Sequence, residues 1–504
     1  MQLDLKKLAF GQYLSRHLLF EEADPLGRGW EKGLYLGLAS ESSSMFAGAA
    51  ARSAGFIRLK SAAGAEFSAE ADAASVLLRG AEGELRLAID GPALLLRGSA
   101  GLRLVVRLGF GETVSRTERG YELNMGPTRY IIAVRKGKAD LEVGWDLVGL
   151  HSTDPIITLT PEDGVLEAVF WDSSAAYDLP EIAPDVEAAA KKAEAAFAAF
   201  REKLTGRSEL YAYVLWLNFQ TRKGDTLLTA NKIGDIRAVS MEQALAALAF
   251  RAPEAAELIA GVLKLMTPGG MVPAWVKGDT VLPEAAPPLW GLPLCRAFAG
   301  GGIDAVAPEK LAELYALLNR AVGWWVKNRS LPDGAFFYAY PHESGFDGKP
   351  ALPMGTPAIT PDLCLWMALN ARALESMALK LDLGQEAENW AALAQGQLET
   401  LASLRKNGSF VCRSATDGAE AECPLGLGLL PLLLGDAAPD YAALEKAAEG
   451  AGNLSPLQGA LIALGSPALG EKYLAAGAGK PDALSGGAYS PALCALLLAA
   501  EERS

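Results

Sequence analysis

The chain has 504 residues, half of them hydrophobic, which allows roughly two to four domains with substantial cores and excludes a small disulfide-stapled or disordered protein. Acids outnumber bases 60 to 46, and the net charge of −14 leaves no uncompensated stripe of Lys and Arg to track phosphates, so nucleic acid is not an expected partner. The mean hydropathy of +0.16 comes from short Ala/Leu segments, none approaching the roughly 18 uncharged apolar residues of a bilayer span, so no membrane partner is expected either.

The N-terminal segment MQLDLKKLAFGQYL sets Asp4 beside two lysines and lacks the apolar core and cleavage site of a secretory signal, which reads as a cytoplasmic protein. Segments such as Phe56–Lys60, Glu84–Ile89 and Leu102–Leu108 then alternate apolar and polar residues, the period of half-buried strands. Turn signals at Ala63-Gly64, Asp90-Gly91, Arg119-Gly120 and Asp163-Gly164 separate many of them, as in an antiparallel β-sandwich, with little room for crossover helices. Leu108-Gly109-Phe110-Gly111 is too short for a dinucleotide fingerprint and reads as a bulge or turn. His17 and His151 read as surface or structural residues.

The Pro-containing stretch Tyr177–Asp185 marks a change of period. We expect a sandwich over residues 1–178, a linker with one helix over 179–207, and a helical domain over 208–504. Asp185 suits the N-cap of the linker helix, whose VEAAAKKAEAAFAAFREKL carries strong helix formers. Further helices are predicted near 208–221, 240–251, 253–265, 288–298, 308–327, 361–380, 385–404, 425–434, 439–449, 456–463, 467–476 and 490–502. About twelve helices pair into six hairpins and fit a closed double ring, and no repeat of solenoid length is present.

Seven of the ten tryptophans lie between residues 216 and 390, and residues 391–504 have none. Trp275 and Trp290 sit in Pro/Gly-rich loop sequences, where a flat ring can meet a ligand, although packing is the commoner role of tryptophan. Tyr338–Asp347 crowds Glu343, Asp347, His342 and several rings into ten residues, and crowding of that kind can raise a carboxyl pKa toward the range of a general acid. An ordinary polar loop is the competing reading. The five cysteines are odd in number and widely spaced, never CxxC, and read as buried thiols. No metal constellation and no cofactor motif is legible, and carbonyl-bound structural Ca²⁺ would leave no trace in sequence.

Glu343-Ser344-Gly345-Phe346-Asp347 resembles the Glu-Ser-Gly-Trp-Asp motif of the six-hairpin glycosidases, meaning glycoside hydrolase family 63 and the family 37 trehalases. Lys232 ahead of Val239-Ser240-Met241-Glu242, Gly270-Met271-Val272-Pro273, Pro287-Pro288 and Thr360-Pro361-Asp362-Leu363 resemble further family segments in the family's order, so that the match runs from about 208 to 435. The resemblance implies an N-terminal β-sandwich, an (α/α)6 toroid and an inverting α-glycosidase acting on an α-glucoside or similar small α-glycoside. It makes Asp347 the general acid and places Glu343, Glu242 and Asp362 on sugar hydroxyls. Lys232, His342 and Phe346 join the binding site, with Trp275 and Trp290 as its stacking or wall residues.

The departures are specific. Val239 and Met241 replace two motif tryptophans, and Glu242 replaces an aspartate. Lys480–Gly486 resembles the segment that carries the family's base, which puts Gly479 at the base position; the Trp-Arg-Gly-Pro loop before it is missing, with only Asn453-Leu454-Ser455-Pro456 available. Glu471 is the nearest replacement candidate. Two readings therefore stay open: a hydrolase with a relocated base, and a carbohydrate-binding or scaffolding protein descended from one, with an Ala/Leu-rich C-terminal surface for a partner. A sugar isomerase or epimerase is disfavoured because His342 is the one histidine after residue 151, and a uronate lyase by the acidic balance. Sugar identity and oligomeric state are not legible.

Overall fold

The alternating segments of the first part pair as antiparallel strands in two sheets. The computed structural model describes residues 1–22, 31–39, 56–106, 108, 112–118, 120–125, 128–146, 151–152, 154–173, 181–222, 225–232, 236–277, 280–345, 352, 355–452, 454–477, 481–484 and 490–501. One sheet runs from edge to edge through His17–Glu22, Gly33–Leu38, Phe56–Ser61, Leu102–Val106, Ile156–Thr160 and Lys138–Glu142. The other runs through Ser68–Ala71, Ser75–Gly80, Gly83–Asp90, Ala93–Gly98, Leu166–Asp172, Thr128–Lys136, Gly120–Met125 and Thr113–Thr117. Leu34, Leu36, Ile57 and Leu104 of the first sheet share one core with Leu85, Leu87, Leu94, Leu96 and Phe170 of the second. The alternate residues Leu95, Val169 and Trp171 of the second sheet face the other way, onto Val186, Ala189 and Ala190 of the helix that follows. His17 lies in this part of the structure, fully buried, with Nε2 2.7 Å from the Pro92 carbonyl oxygen. Burial pushes its pKa down to about 4, so the ring is neutral near pH 7, as a structural histidine should be. Residues 109–111 and 178, and the side chain of His151, lie outside the described residues.

The linker helix, α1 (Val186–Glu202), is capped by Asp185, whose carboxylate accepts from the Ala188 N–H at 2.7 Å. It does more than link: Ala189 and Ala190 cover the sheet while Phe197 and Phe200 reach Trp216 at 5.5 and 5.3 Å between ring centroids. Beyond it follow α2 (Glu209–Asn218), α3 (Ser240–Ala247), α4 (Ala252–Leu263), α5 (Gly291–Phe298), α6 (Pro308–Asn328), α7 (Pro361–Lys380) and α8 (Gly384–Ser403). The short α9 (Leu425–Gly428) continues into a 3₁₀ turn over Leu430–Ala437, before α10 (Tyr441–Gly450), α11 (Pro456–Gly465), α12 (Gly470–Gly477) and α13 (Pro491–Glu501).

Packing sorts these helices into two layers. Helix α3 packs on α5, α5 on α7, α7 on the α9 segment, that segment on α11, α11 on α13, and α13 returns to α3, closing an inner ring of six. Outside it, α2 lies on α13, α4 on α3, α6 and α8 on α7, α10 on the α9 segment and α12 on α11. The residue patterns explain the sorting. Every residue from Pro491 to Ala500 of α13 and from Gln458 to Leu464 of α11 is buried, as expected of helices surrounded by protein. In α6 only a stripe, Leu311, Leu314, Tyr315, Leu318, Ala321, Val322 and Trp325, turns inward. The Ala/Leu-rich C-terminal stretch, expected as a surface for a partner, is therefore corrected: its α11 and α13 are buried in the inner ring, where small and branched apolar side chains let helices approach closely. Cys364, Cys412, Cys423 and Cys494 are buried, Cys295 is partly buried, and all five are free thiols. Among the described residues, no helix is long and apolar enough to cross a membrane, and no group of three or more His, Cys, Asp or Glu side chains could hold a metal ion.

Candidate functional site

At the end of the ring where α3, α9 and α11 begin, a cleft of about 1230 Å³ opens, somewhat above the roughly 300–1,000 Å³ of ordinary small-molecule sites. Its near wall is built by the first residues of α3 and the short sheet beside them, in which Val239 pairs with Trp275. Glu242 in the first turn of α3 lines the cleft, with Arg237, Trp275, Glu284 and His342. The Arg237 guanidinium carbon lies 5.3 Å from the centre of the Trp275 ring, so the cation covers a half-buried indole at the cleft wall. The far wall is the opposite arc of the ring, with Leu425 and Gly426 of α9, and Ser455 and Gln458 at the start of α11.

The Tyr338–Asp347 stretch enters the cleft only in part. His342 is exposed on the 3₁₀ turn Pro341–Ser344 and lines the cleft. Gly345, which closes the turn with φ +79°, also lines it. A Cβ there would come 2.5 Å from Met241 Sδ and 2.6 Å from Pro287 Cγ, so only glycine lets this turn seat on α3. Phe346 and Asp347, the next residues, lie outside the described residues.

Glu343 points inward and is wholly buried. Its Oε1 accepts from Arg329 Nη2 at 2.8 Å and Nε at 3.3 Å, and its Oε2 from the Ala339 and Tyr340 backbone N–H groups at 2.6 and 3.3 Å. Both oxygens are thus engaged in holding the turn. Asp362, the second residue of α7, is also fully buried and accepts from the Tyr338 hydroxyl at 2.9 Å. Burial raises its pKa to about 6, against the opposing pull of the nearby Thr360 and Tyr338 hydroxyls and the amides at the start of the helix.

Lys232 is buried away from the cleft lining, donating from Nζ to the Phe219 carbonyl at 2.9 Å and the Gln12 carbonyl at 3.2 Å. It ties the N-terminal segment to the end of α2, and burial lowers its pKa to about 7. Trp290 is buried just before α5 and, unlike Pro287, is not part of the cleft lining. Glu471 is the second residue of α12 in the outer layer; its side chain and Gly479 lie outside the described residues.

Of the residues singled out in the sequence, the cleft therefore gathers Glu242, Trp275 and His342. It adds Arg237, Glu284 and Gln458, which no motif marked. Arg237 carried no such signal, since it stands just before a strand of only two residues, Ala238–Val239.

No protein-family profile matches the chain, and no curated protein matches it in sequence. Solved structures do resemble it. The inverting mannosidase of glycoside hydrolase family 92 from Bacteroides thetaiotaomicron superposes with a TM-score of 0.50 at 12% identity, covering 88% of this chain and 69% of that one. The family 63 mannosylglycerate hydrolase from Thermus thermophilus, solved with glucose, gives 0.45 at 16% identity over 58% of this chain and 99% of that one. A bacterial glucoamylase complexed with acarbose gives 0.48 at 11% identity, covering 86% and 84%. Two antiparallel sheets followed by a closed double ring of helices give this chain the six-hairpin glycosidase-like fold, with its (α/α)6 toroid.

Proposed function

We propose that the cleft at the helix-start end of the ring holds a small carbohydrate and that the chain is a glycoside hydrolase-like protein acting on an α-glucoside or similar small α-glycoside. The observation that carries this reading is the convergence of Glu242, Glu284, Trp275 and His342 on one cleft in a six-hairpin ring. Carboxylates accept from sugar hydroxyls, and a flat ring meets the apolar face of a pyranose.

In the inverting reaction, Asp347, two residues beyond the cleft residue Gly345, protonates the glycosidic oxygen as the bond to the anomeric carbon breaks. A carboxylate on the other face takes a proton from the attacking water, the two carboxyl groups standing roughly 6.5–9.5 Å apart. Glu242 and Glu284 are the carboxylates on the described lining and are assigned as candidates for that role ahead of Glu471 of the outer layer.

The test is hydrolysis of an alkyl α-glucoside and of α-glucosyl fluoride. Fluoride leaves without protonation, so Asp347→Asn is expected to lower turnover of the alkyl glucoside about 10²–10⁴-fold and to spare the fluoride far more. Removing the base, by Glu242→Gln or Glu284→Gln, should depress both. A second reading, a carbohydrate-binding protein without turnover, is favoured by one observation: the described far-wall residues Leu425, Gly426, Gly452, Leu454, Ser455, Leu457 and Gln458 include no carboxylate. Absence of activity in the wild type and in Asp347→Asn, with glucose still protecting against heat, would decide for the binder. Absence of both activity and protection would end the carbohydrate reading.

A further inference from the structure

The two walls of the cleft differ in kind. Its charged lining side chains, Arg237, Glu242 and Glu284, and the imidazole of His342 all belong to the near wall. The described far wall carries no charge, and its apolar side chains are three leucines: Leu425, the first residue of α9, and Leu454 and Leu457 at the start of α11. Leu425 is 46% exposed, one of the few large apolar side chains among the described residues to stand in solvent, and Leu454 and Leu457 are half-buried. The polar groups beside them serve the helix start. The Ser455 hydroxyl accepts the Gln458 N–H at 3.2 Å and Gln458 Oε1 accepts the Ser455 N–H at 3.2 Å, a reciprocal capping box. What this wall offers a ligand is therefore chiefly hydrocarbon.

Helix capping does not account for the leucines. An apolar residue just before an N-cap commonly packs on the fourth helical residue, but in α11 that residue is Gly459, which gives Leu454 no side chain to meet. Leu425 stands in the first turn of its helix, where acidic residues are favoured. Exposed apolar surface gathered in one place marks a contact site, whereas scattered single residues do not. The size of the cleft agrees, since one sugar ring on the near wall of a space of about 1230 Å³ would leave the leucines uncovered. A Cβ on Gly452, which also lines this wall, would meet nothing within 4 Å, so the space in front of it is open. The leucines lie inside the concave site and face its polar wall, which suits a group carried by the ligand itself and not the surface of a protein partner.

We infer that the cleft takes a glycoside with an apolar aglycone, an alkyl or aryl group: the sugar lies against the charged near wall and the aglycone covers Leu425, Leu454 and Leu457. The inference rests on the carbohydrate reading of the cleft and names the class of glycoside that the site would select.

The experiment measures, by calorimetry, the affinity of methyl, ethyl, butyl and hexyl α-glucosides, below micelle-forming concentrations, for the full wild-type chain and three variants. In the wild type, affinity should rise about two- to fourfold with each added methylene up to butyl at least, fourfold being the worth of a fully buried methylene. In Leu425→Gln/Leu454→Gln that rise should largely disappear, while methyl α-glucoside, which is too short to reach the leucines, should bind within about twofold of wild type. Leu425→Gln alone changes only an exposed side chain and should lower the rise partway. Leu425→Met keeps the apolar surface and should retain the wild-type rise. 1-Hexanol, which lacks the sugar and its hydrogen bonds, should bind at least about tenfold more weakly than hexyl α-glucoside. A flat series in the wild type, or an equal rise in the wild type and Leu425→Gln/Leu454→Gln, overturns the inference and leaves the carbohydrate reading standing. Hexanol bound as tightly as hexyl α-glucoside, or no glucoside bound at all, removes both.

Discussion

Replacing Glu343 with Gln separates a scaffold residue from a sugar ligand. In the structure the carboxylate has no exposure, and all four of its contacts are N–H donors: two from Arg329 and one each from Ala339 and Tyr340. Glutamine keeps a single acceptor oxygen. Whichever way the amide turns, its NH₂ meets either the guanidinium or the two backbone N–H groups, and the Arg329 charge loses its partner. Arg329 is only 17% exposed, so solvent restores little. Breaking a buried, hydrogen-bonded pair of this kind costs about 3–5 kcal/mol. Unfolding entropy of about 2.1 cal/mol/K per residue over 504 residues corresponds to about 1 kcal/mol per degree, so Tm should fall by about 3–5 °C. Thermal unfolding followed by circular dichroism measures the shift, and amide hydrogen exchange over residues 338–345 should show the turn opening. A Tm within about 1 °C of wild type together with lost carbohydrate binding would refute the reasoning, because Glu343 would then act on the ligand and not on its own loop.

Three further outcomes are expected. Asp362 has its pKa raised to about 6 from 3.8, so the folded state binds the extra proton between about pH 4 and 6 and stability falls across that window as pH rises, by about 3 kcal/mol. Urea midpoints at pH 4, 5, 6 and 7 should show this dependence in the wild type and lose it in Asp362→Asn; a wild-type-minus-variant difference that does not vary with pH contradicts it. Lys232 has the opposite sign: with its pKa lowered to about 7 from 10.5, the unfolded state holds the proton above pH 7, and stability gains about 3 kcal/mol between pH 7 and 9. Lys232→Met should abolish that gain, measured by the same titration. Trp275 is half-buried at the cleft wall, so Trp275→Ala should weaken methyl α-glucoside binding at least about tenfold while moving Tm by no more than about 2 °C. An unchanged affinity would remove the ring from the site.

Local pattern carried the reading of the elements a long way, for reasons the structure makes plain. The twelve helical stretches expected after residue 208 correspond to α2–α13, because most carry a run of helix formers and several open on a start signal. Ser208 caps α2, Ser455 caps α11, and prolines open α6, α7 and α13. The strand segments were legible because half-buried strands alternate, and the sheet that α1 covers was less so, since Leu94, Leu95 and Leu96 are buried on both faces.

What the chain order could not convey is direction. His342 and Glu343 are neighbours in one motif, yet a 3₁₀ turn sends the first into the cleft and the second into the protein against Arg329. Glu242, Glu284 and Gln458 are scattered over more than two hundred residues and line one cleft because the inner helices close into a ring and several begin at the same end. The sequence by itself determined the elements, the closed helical ring they fit and the residues of the Tyr338–Asp347 turn, since propensity, capping and periodicity act over a few residues. Only the tertiary structure decided which polar groups are spent on holding the scaffold and which face the cleft. That division follows from burial and hydrogen-bond satisfaction, and both depend on partners brought together from distant parts of the chain.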